Sequence, residues 1–104
     1  FLQIAMLELR KQDRFDPHIH LWKELQSNRN VAQESWVVMK GEIEVDFYDT
    51  DGTFLCSETL QTGDCSVTLH GGHGYRAVQD SLVYEFKNGP YYGIEKDKTF
   101  IEVK

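Results

Sequence analysis

The sequence predicts an all-β fold, and three observations carry that expectation. Apolar and polar residues alternate with period two along most of the chain, turn-forming runs such as Asp51-Gly52 and Thr62-Gly63-Asp64 punctuate the alternation, and no long stretch keeps a helical period. Turns recurring at roughly 8–12 residues have the spacing of a sandwich or barrel. The chain of 104 residues, 40% of them hydrophobic, suits a single domain spanning 1–104 with one core.

Taken in order, residues 2–9 place Leu2, Ile4 and Met6 on one face and Ala5, Leu7 and Leu9 on the other, as suits a strand between two layers. Pro17 pre-sets an extended entry to His18-Ile19-His20. Leu21–Gln26 has room for a helical turn, but Asn28-Arg29-Asn30 end any regular pattern. Residues 21–32 therefore read as a polar loop, long enough to serve as a lid. Trp36–Met39 is an apolar strand core, and Ile43, Val45 and Phe47 then alternate with Glu42, Glu44 and Asp46, as in a strand with one wet face. Asp51-Gly52 is a hairpin pair leading into residues 53–60. Beyond Thr62-Gly63-Asp64, Cys65, Val67 and Leu69 alternate with Ser66, Thr68 and His70. Gly71-Gly72-His73-Gly74 precedes a strand at Tyr75–Val78, and the Asp80-Ser81 turn opens the last long strand, Leu82–Lys87. The tail from Glu95 to Lys104 alternates charged and apolar residues and is expected to add an edge strand or reach across a dimer partner.

Composition excludes several functions. Eleven Lys and Arg against 17 Asp and Glu leave a net charge of −6, which disfavours nucleic acid and anionic membrane surfaces alike. No apolar run approaches the roughly 20 residues of a membrane span. No signal-peptide pattern opens the chain, although Phe1 in place of Met fits a processed or trimmed start. Cys56 and Cys65 are too few for a disulfide scaffold. They read as buried, inert thiols in a reducing compartment, so a cytoplasmic protein without thiol catalysis is expected. Phosphate-binding Gly-Lys-Ser/Thr loops are absent.

Three elements carry chemistry. On a strand, His18 and His20 project from the same face, and paired imidazoles suit Zn, Cu, Fe, Ni or Mn. Taken alone, such a pair is more often two surface or hydrogen-bonded histidines. Glu34 heads an otherwise apolar strand, where an ionised group must be paired, metal-bound or facing a wet cavity unless it sits at a solvated strand end. His73 is flanked by glycines that let the backbone turn sharply and approach another strand, which favours it over His70, three residues earlier.

In this order the elements resemble the cupin superfamily, whose first motif runs His-x-His, a spacer, Glu, six residues and Gly, and whose second opens with Gly and runs through a strand to a His. Here the first motif is His18, His20, Glu34 and Gly41, and the second is Gly63 and His73. The resemblance, spanning about Pro17 to Lys87, implies a double-stranded β-helix, or jelly-roll barrel. It further implies one divalent metal ion (Fe, Mn, Zn or Ni) held by His18, His20, Glu34 and His73. The spacer of 13 residues before Glu34 is longer than the family's usual few; Glu24 sits at the short spacing, but no Gly follows it at the required distance. The usual proline of the second motif is missing, with Leu69 near its place, and His73 falls about one residue early. The stretch Val83–Tyr91 with Asp97-Lys98 is similar, more narrowly, to small bacterial cupins of surface-polysaccharide sugar metabolism.

The last strand leaves two arrangements open. With Tyr84 and Phe86 packed inside, Glu85 and Lys87 form an ion pair on the outer face, the commoner outcome. With the faces reversed, they line the cavity as acid, base or sugar clamp. Tyr75, Tyr91 and Tyr92 are candidates for stacking on a sugar ring, while Trp22 and Trp36 belong to the core or its rim, Trp36 within reach of a ligand. Glu85, Tyr75 and His70 are the candidate bases; Lys87, Tyr91 and Trp36 are candidate ligand-binding residues. The expected function is a homodimeric, metal-binding cupin taking a small carbohydrate-like or carboxylate ligand, with a sugar isomerase as the leading reaction. An Fe(II)-dependent dioxygenase and a non-catalytic ligand sensor are the rivals.

Overall fold

Eleven strands run, among the described residues, as β1 (Leu2–Leu9), β2 (Arg14–His20), β3 (Trp22–Leu25), β4 (Asn28–Val31), β5 (Glu34–Lys40), β6 (Glu42–Tyr48), β7 (Phe54–Gln61), β8 (Cys65–Thr68), β9 (Gly72–Ala77), β10 (Ser81–Asn88) and β11 (Lys98–Phe100). The computed structural model describes residues 2–25, 28–88 and 98–102. A four-stranded antiparallel sheet, β1-β10-β5-β8, faces a five-stranded one, β11-β2-β9-β6-β7. The architecture is an all-β jelly-roll barrel. No helix among the described residues is long and apolar enough to cross a membrane.

The inward residues stack in layers along the barrel. At one end Val38, Ala77, Val83, Ile43 and Val45 form a fully buried aliphatic floor. Above it Trp36 and Tyr75 lie face to face, ring centroids 3.8 Å apart and 7° from parallel, with Phe15 edge-on to Trp36 at 5.1 Å. Such stacking adds to the burial of large apolar rings. Glu34 and His73 follow one strand step further, two residues from Trp36 on β5 and Tyr75 on β9, and His18 on β2 lies opposite His73.

Two glycines are required by their surroundings. Gly41 turns β5 into β6 at φ +108°, and a Cβ there would collide with the Ser81 side chain. At Gly74 a Cβ would come within 3.0 Å of the Pro17 ring and nitrogen. That close approach sits where the β2–β9 register shifts between Phe15 and His18, at the proline that has no N–H to give the ladder.

Several expectations are corrected. Residues 22–25 and 28–31 pair as the antiparallel strands β3 and β4 rather than forming a helical turn or irregular loop, with Trp22 opposite Val31. The β8 alternation is turned round: Ser66 and Thr68 are buried, and Cys65 and Val67 are exposed. Both cysteines are exposed, Cys56 on the edge strand β7, so neither is a buried thiol. Strand β1 packs inward on one side only, its outer face bare. The tail does supply an edge strand, β11 paired to β2. Trp36 is core, while Trp22 is a half-exposed rim residue.

Candidate metal centre

Four side chains converge where the two sheets meet. Strand β2 presents His18 and His20 from one face, and register sets His18 opposite His73 on the neighbouring β9. From the other sheet, the first residue of β5, Glu34, reaches across. The ligand atoms of all four lie within 4.8 Å of one another, and every one of these residues is buried. His18 Nε2 is 3.1 Å from His73 Nε2, His20 Nε2 is 3.2 Å from Glu34 Oε2, and His73 Nε2 is 3.3 Å from Glu34 Oε1.

That spacing fits a bound cation. Donor atoms about 2.0–2.2 Å from a common ion, as imidazole nitrogens and carboxylate oxygens are, stand roughly 3.0–3.4 Å apart in tetrahedral or octahedral geometry. Tautomers agree with it. His18 Nδ1 donates to the Asp16 carbonyl at 2.7 Å, which leaves the Nε2 lone pair of the neutral ring pointing inward. His73 Nδ1 is held by Thr68 Oγ1 at 2.7 Å, again turning Nε2 to the centre. Burial, followed by the charge of His73, lowers the His18 pKa from 6.5 to about 3, so the ring is neutral and able to ligate. Burial pushes the Glu34 carboxyl up, but hydrogen bonds from His20 and His73 outweigh it and hold the group well below the usual carboxylate range. Three imidazoles and one carboxylate are a donor set suited to a divalent transition metal.

Beside this cluster lies a cavity of about 370 Å³, reached by His18 and Glu34 and floored by Trp36, Tyr75 and Phe15. Glu85 and Lys87 line it rather than the outer surface, with Lys98 of β11 and Gln3 of β1 completing the polar wall. Register explains the reversal: Glu85 is opposite Trp36 and Lys87 opposite Glu34, both inward. The Trp36 indole N–H donates to Glu85 Oε2 at 2.9 Å. Burial and the Glu34 charge raise the Glu85 pKa, against the smaller pull of Lys87 and the Trp36 hydrogen bond.

Other candidates stand elsewhere. Tyr75 shows the cavity its ring, while its hydroxyl is bound to Ser66 Oγ at 2.9 Å and lies 3.4 Å from His73 Nδ1. Burial pushes that phenol well above its ordinary pKa. His70 is exposed outside the ligand group, its ring 5.4 Å from Trp22. Tyr91 and Tyr92, and the side chain of Glu24, lie outside the described residues. Sequence reasoning missed Thr68, Asp16, Gln3 and Phe15 altogether. The one signal for Thr68 was the polar half of the β8 alternation.

Fold and site together make a two-sheet jelly roll with a buried three-histidine, one-carboxylate group that could hold a metal ion. Similar solved structures share that fold. KdgF from Halomonas sp. superposes with a TM-score of 0.68 at 22% identity, over 86% of this chain and 71% of that one. The capsular polysaccharide assembling protein CapF from Staphylococcus aureus gives 0.77 at 14% identity, over 97% of this chain but only 27% of CapF. The coconut allergen cocosin gives 0.65 at 15% identity, over 83% of this chain and 21% of the allergen. No protein-family model matches the sequence, and no curated protein matches it.

Proposed function

We propose that this protein is a metal-dependent cupin that binds a small, oxygen-rich, anionic ligand, a carbohydrate derivative or carboxylate, and isomerises it by proton transfer. One observation carries the reading: the His18, His20, Glu34 and His73 cluster adjoins a cavity of about 370 Å³ whose remaining wall holds Glu85, Lys87 and Lys98. That volume suits one sugar-sized molecule. A divalent ion in the cluster would supply Lewis acidity to a ligand carbonyl or hydroxyl. Lys87 and Lys98 offer positive charge to a carboxylate. Trp36 and Phe15 offer an apolar floor to a ring face. Glu85, steadied by the Trp36 indole, holds its proton to higher pH than an ordinary carboxyl and is the group suited to exchange a proton with the ligand. Tyr75, its hydroxyl engaged by Ser66, supports Trp36 and is the weaker candidate for that step. CapF, a capsular polysaccharide assembling protein, has been crystallised with the inhibitor 3-isopropenyl-tropolone, a ring bearing adjacent oxygens. A role in surface-polysaccharide sugar metabolism is consistent with that neighbour.

Elemental analysis of protein purified without added metal tests the reading, combined with a screen of keto-acids and aldoses for metal-dependent isomerisation. One divalent ion per chain, lost in His18→Ala, is expected. A metal-free protein that gains no affinity for divalent ions on titration would refute it. A ligand bound metal-dependently but recovered unchanged would leave a sensor in place of an enzyme.

A further inference from the structure

Strand β11 is held by little of its own. It is an edge strand of three residues, paired to β2 alone through Lys98 opposite His20, Thr99 opposite Ile19 and Phe100 opposite His18. So short a pairing is marginal in water without further packing. The packing comes from the next residue. The Ile101 N–H donates to the Pro17 carbonyl at 3.0 Å, and the Ile101 side chain lies in a notch that Gly72 leaves open on the outer face of the sheet. A Cβ at Gly72 would stand 2.7 Å from Ile101 Cδ1 and 3.0 Å from both Ile19 Cγ1 and Tyr48 Cβ, so a side chain there would displace the isoleucine. Strand β11 thus straddles β2: Ile101 grips the outer face, and Lys98 turns inward to the cavity.

Lys98 differs from the other cation of the wall. Lys87 lies opposite Glu34 and two residues from Glu85 on one face of β10, so neighbouring carboxylates answer its charge. Lys98 forms no ion pair among the described residues, and its charge is felt at both His18 and Glu85, lowering the pKa of each. We propose that Lys98 is the residue that selects an anionic ligand for this cavity, and that Ile101, seated over Gly72, is the positioning residue that holds it there. The inference rests on the reading of the cavity as a ligand site, and it names the group that decides between a charged ligand and its neutral counterpart. An ammonium without a counter-charge binds a carboxylate through a charge-assisted hydrogen bond and gives nothing comparable to a hydroxyl. With β11 loosened, the same ammonium moves into water, where its attraction for a carboxylate is weak.

Probe pairs of one skeleton each read the selection: D-glucuronate against D-glucose, and lactate against propane-1,2-diol. Tryptophan fluorescence follows equilibrium binding, because Trp36 floors the cavity. The wild type is expected to take the acid at least about tenfold more tightly than the neutral member of a pair, the worth of one charged hydrogen bond. Lys98→Met removes that preference without changing affinity for the neutral member, whereas Lys40→Met, at the other end of β5 from Glu34, keeps it. Ile101→Ala loses most of the preference and Ile101→Val restores it, with β-sheet circular dichroism unchanged in each. A merely structural residue would not move the ratio within a pair. An Ile101→Ala protein that keeps the preference, or does not fold, overturns the positioning role of Ile101. A Lys98→Met protein that keeps the preference overturns the role of Lys98. Wild-type protein that binds both members of a pair equally overturns the proposal and leaves the ligand site standing, while protein that binds none of the four probes overturns both.

Discussion

Directly opposite one another across the β2–β9 pair, His18 and His73 bring their Nε2 atoms within 3.1 Å. The Asp16 carbonyl takes the His18 Nδ1 proton, so an unshared electron pair points into this approach. A cation between the rings would take that electron pair. Added Zn²⁺, Mn²⁺ or Ni²⁺ is therefore expected to stabilise the metal-free protein by about 2.7 kcal/mol at a hundredfold excess over Kd. In a chain of this size that raises the thermal midpoint by roughly 10–20 °C. Differential scanning calorimetry with and without metal measures it. An undiminished shift in His18→Ala would count against the assigned ligands.

Acid acts on the same residue. The native His18 pKa is about 3, against an ordinary value of 6.5, with burial and then His73 as causes. Between those values the unfolded chain binds a proton on His18 that the native chain does not. Stability of the metal-free protein thus falls as pH drops from about 6.5 toward 3, by up to about 1.4 kcal/mol per pH unit for this proton, and His18 contributes no change above that window. Glu34, also held low, acts in the same direction at the acid end. Urea midpoints across the range, compared with those of His18→Asn, isolate the His18 share. A difference that stays flat between neutrality and about pH 4 would contradict the assignment.

Thr68, opposite Glu34 in the β5–β8 register, holds the His73 ring, its Oγ1 lying 2.7 Å from Nδ1. Thr68→Val keeps the shape and removes that hydrogen bond, leaving the buried ring free to tilt. A loss of about 10–100-fold in metal affinity is expected, with about 1 kcal/mol of stability. Competitive titration against a chelator separates the two effects. Unchanged affinity alongside a lowered thermal midpoint would make Thr68 a packing residue only.

The grouping of His18, His20, Glu34 and His73 was legible because its signals are local: two histidines at the strand period, a glutamate heading an apolar strand, and a histidine among glycines. What escaped was the direction of strands whose two faces are both chemically plausible. On β8, hydrophobicity favours Cys65 and Val67 inside, yet Ser66 and Thr68 are the buried pair because Tyr75 and His73 supply their partners. On β10, Tyr84 and Phe86 outrank Glu85 and Lys87 for burial until a polar cavity is known to lie within. Those preferences are set by residues distant in sequence. The β3–β4 pair escaped for a related reason, since only the pairing of residues 22–25 with 28–31 marks them as strands.

Glu85 separates function from stability most sharply. Its carboxyl is half-buried, and burial, with Glu34 on the same cavity, disfavours the charged form and raises its pKa. The native chain therefore holds a proton on Glu85 over a window above the ordinary value of 4.5 where the unfolded chain has released it. Stability contributed by this group is present below that window and is lost as pH rises through it, opposite in sign to His18. Glu85→Gln keeps an oxygen to accept from the Trp36 indole and removes the unfavourable charge. At neutral pH the variant is expected to be as stable as the parent or more so, by up to about 1 kcal/mol after allowing for solvent screening of a half-buried group. Its metal content should be unchanged, and ligand turnover should fall by about 100-fold or more, the usual worth of a positioned acid or base. Thermal unfolding, metal analysis and a turnover assay on one preparation give all three readings. A destabilised variant with normal turnover would make Glu85 a structural partner of Trp36 and move the proton transfer elsewhere.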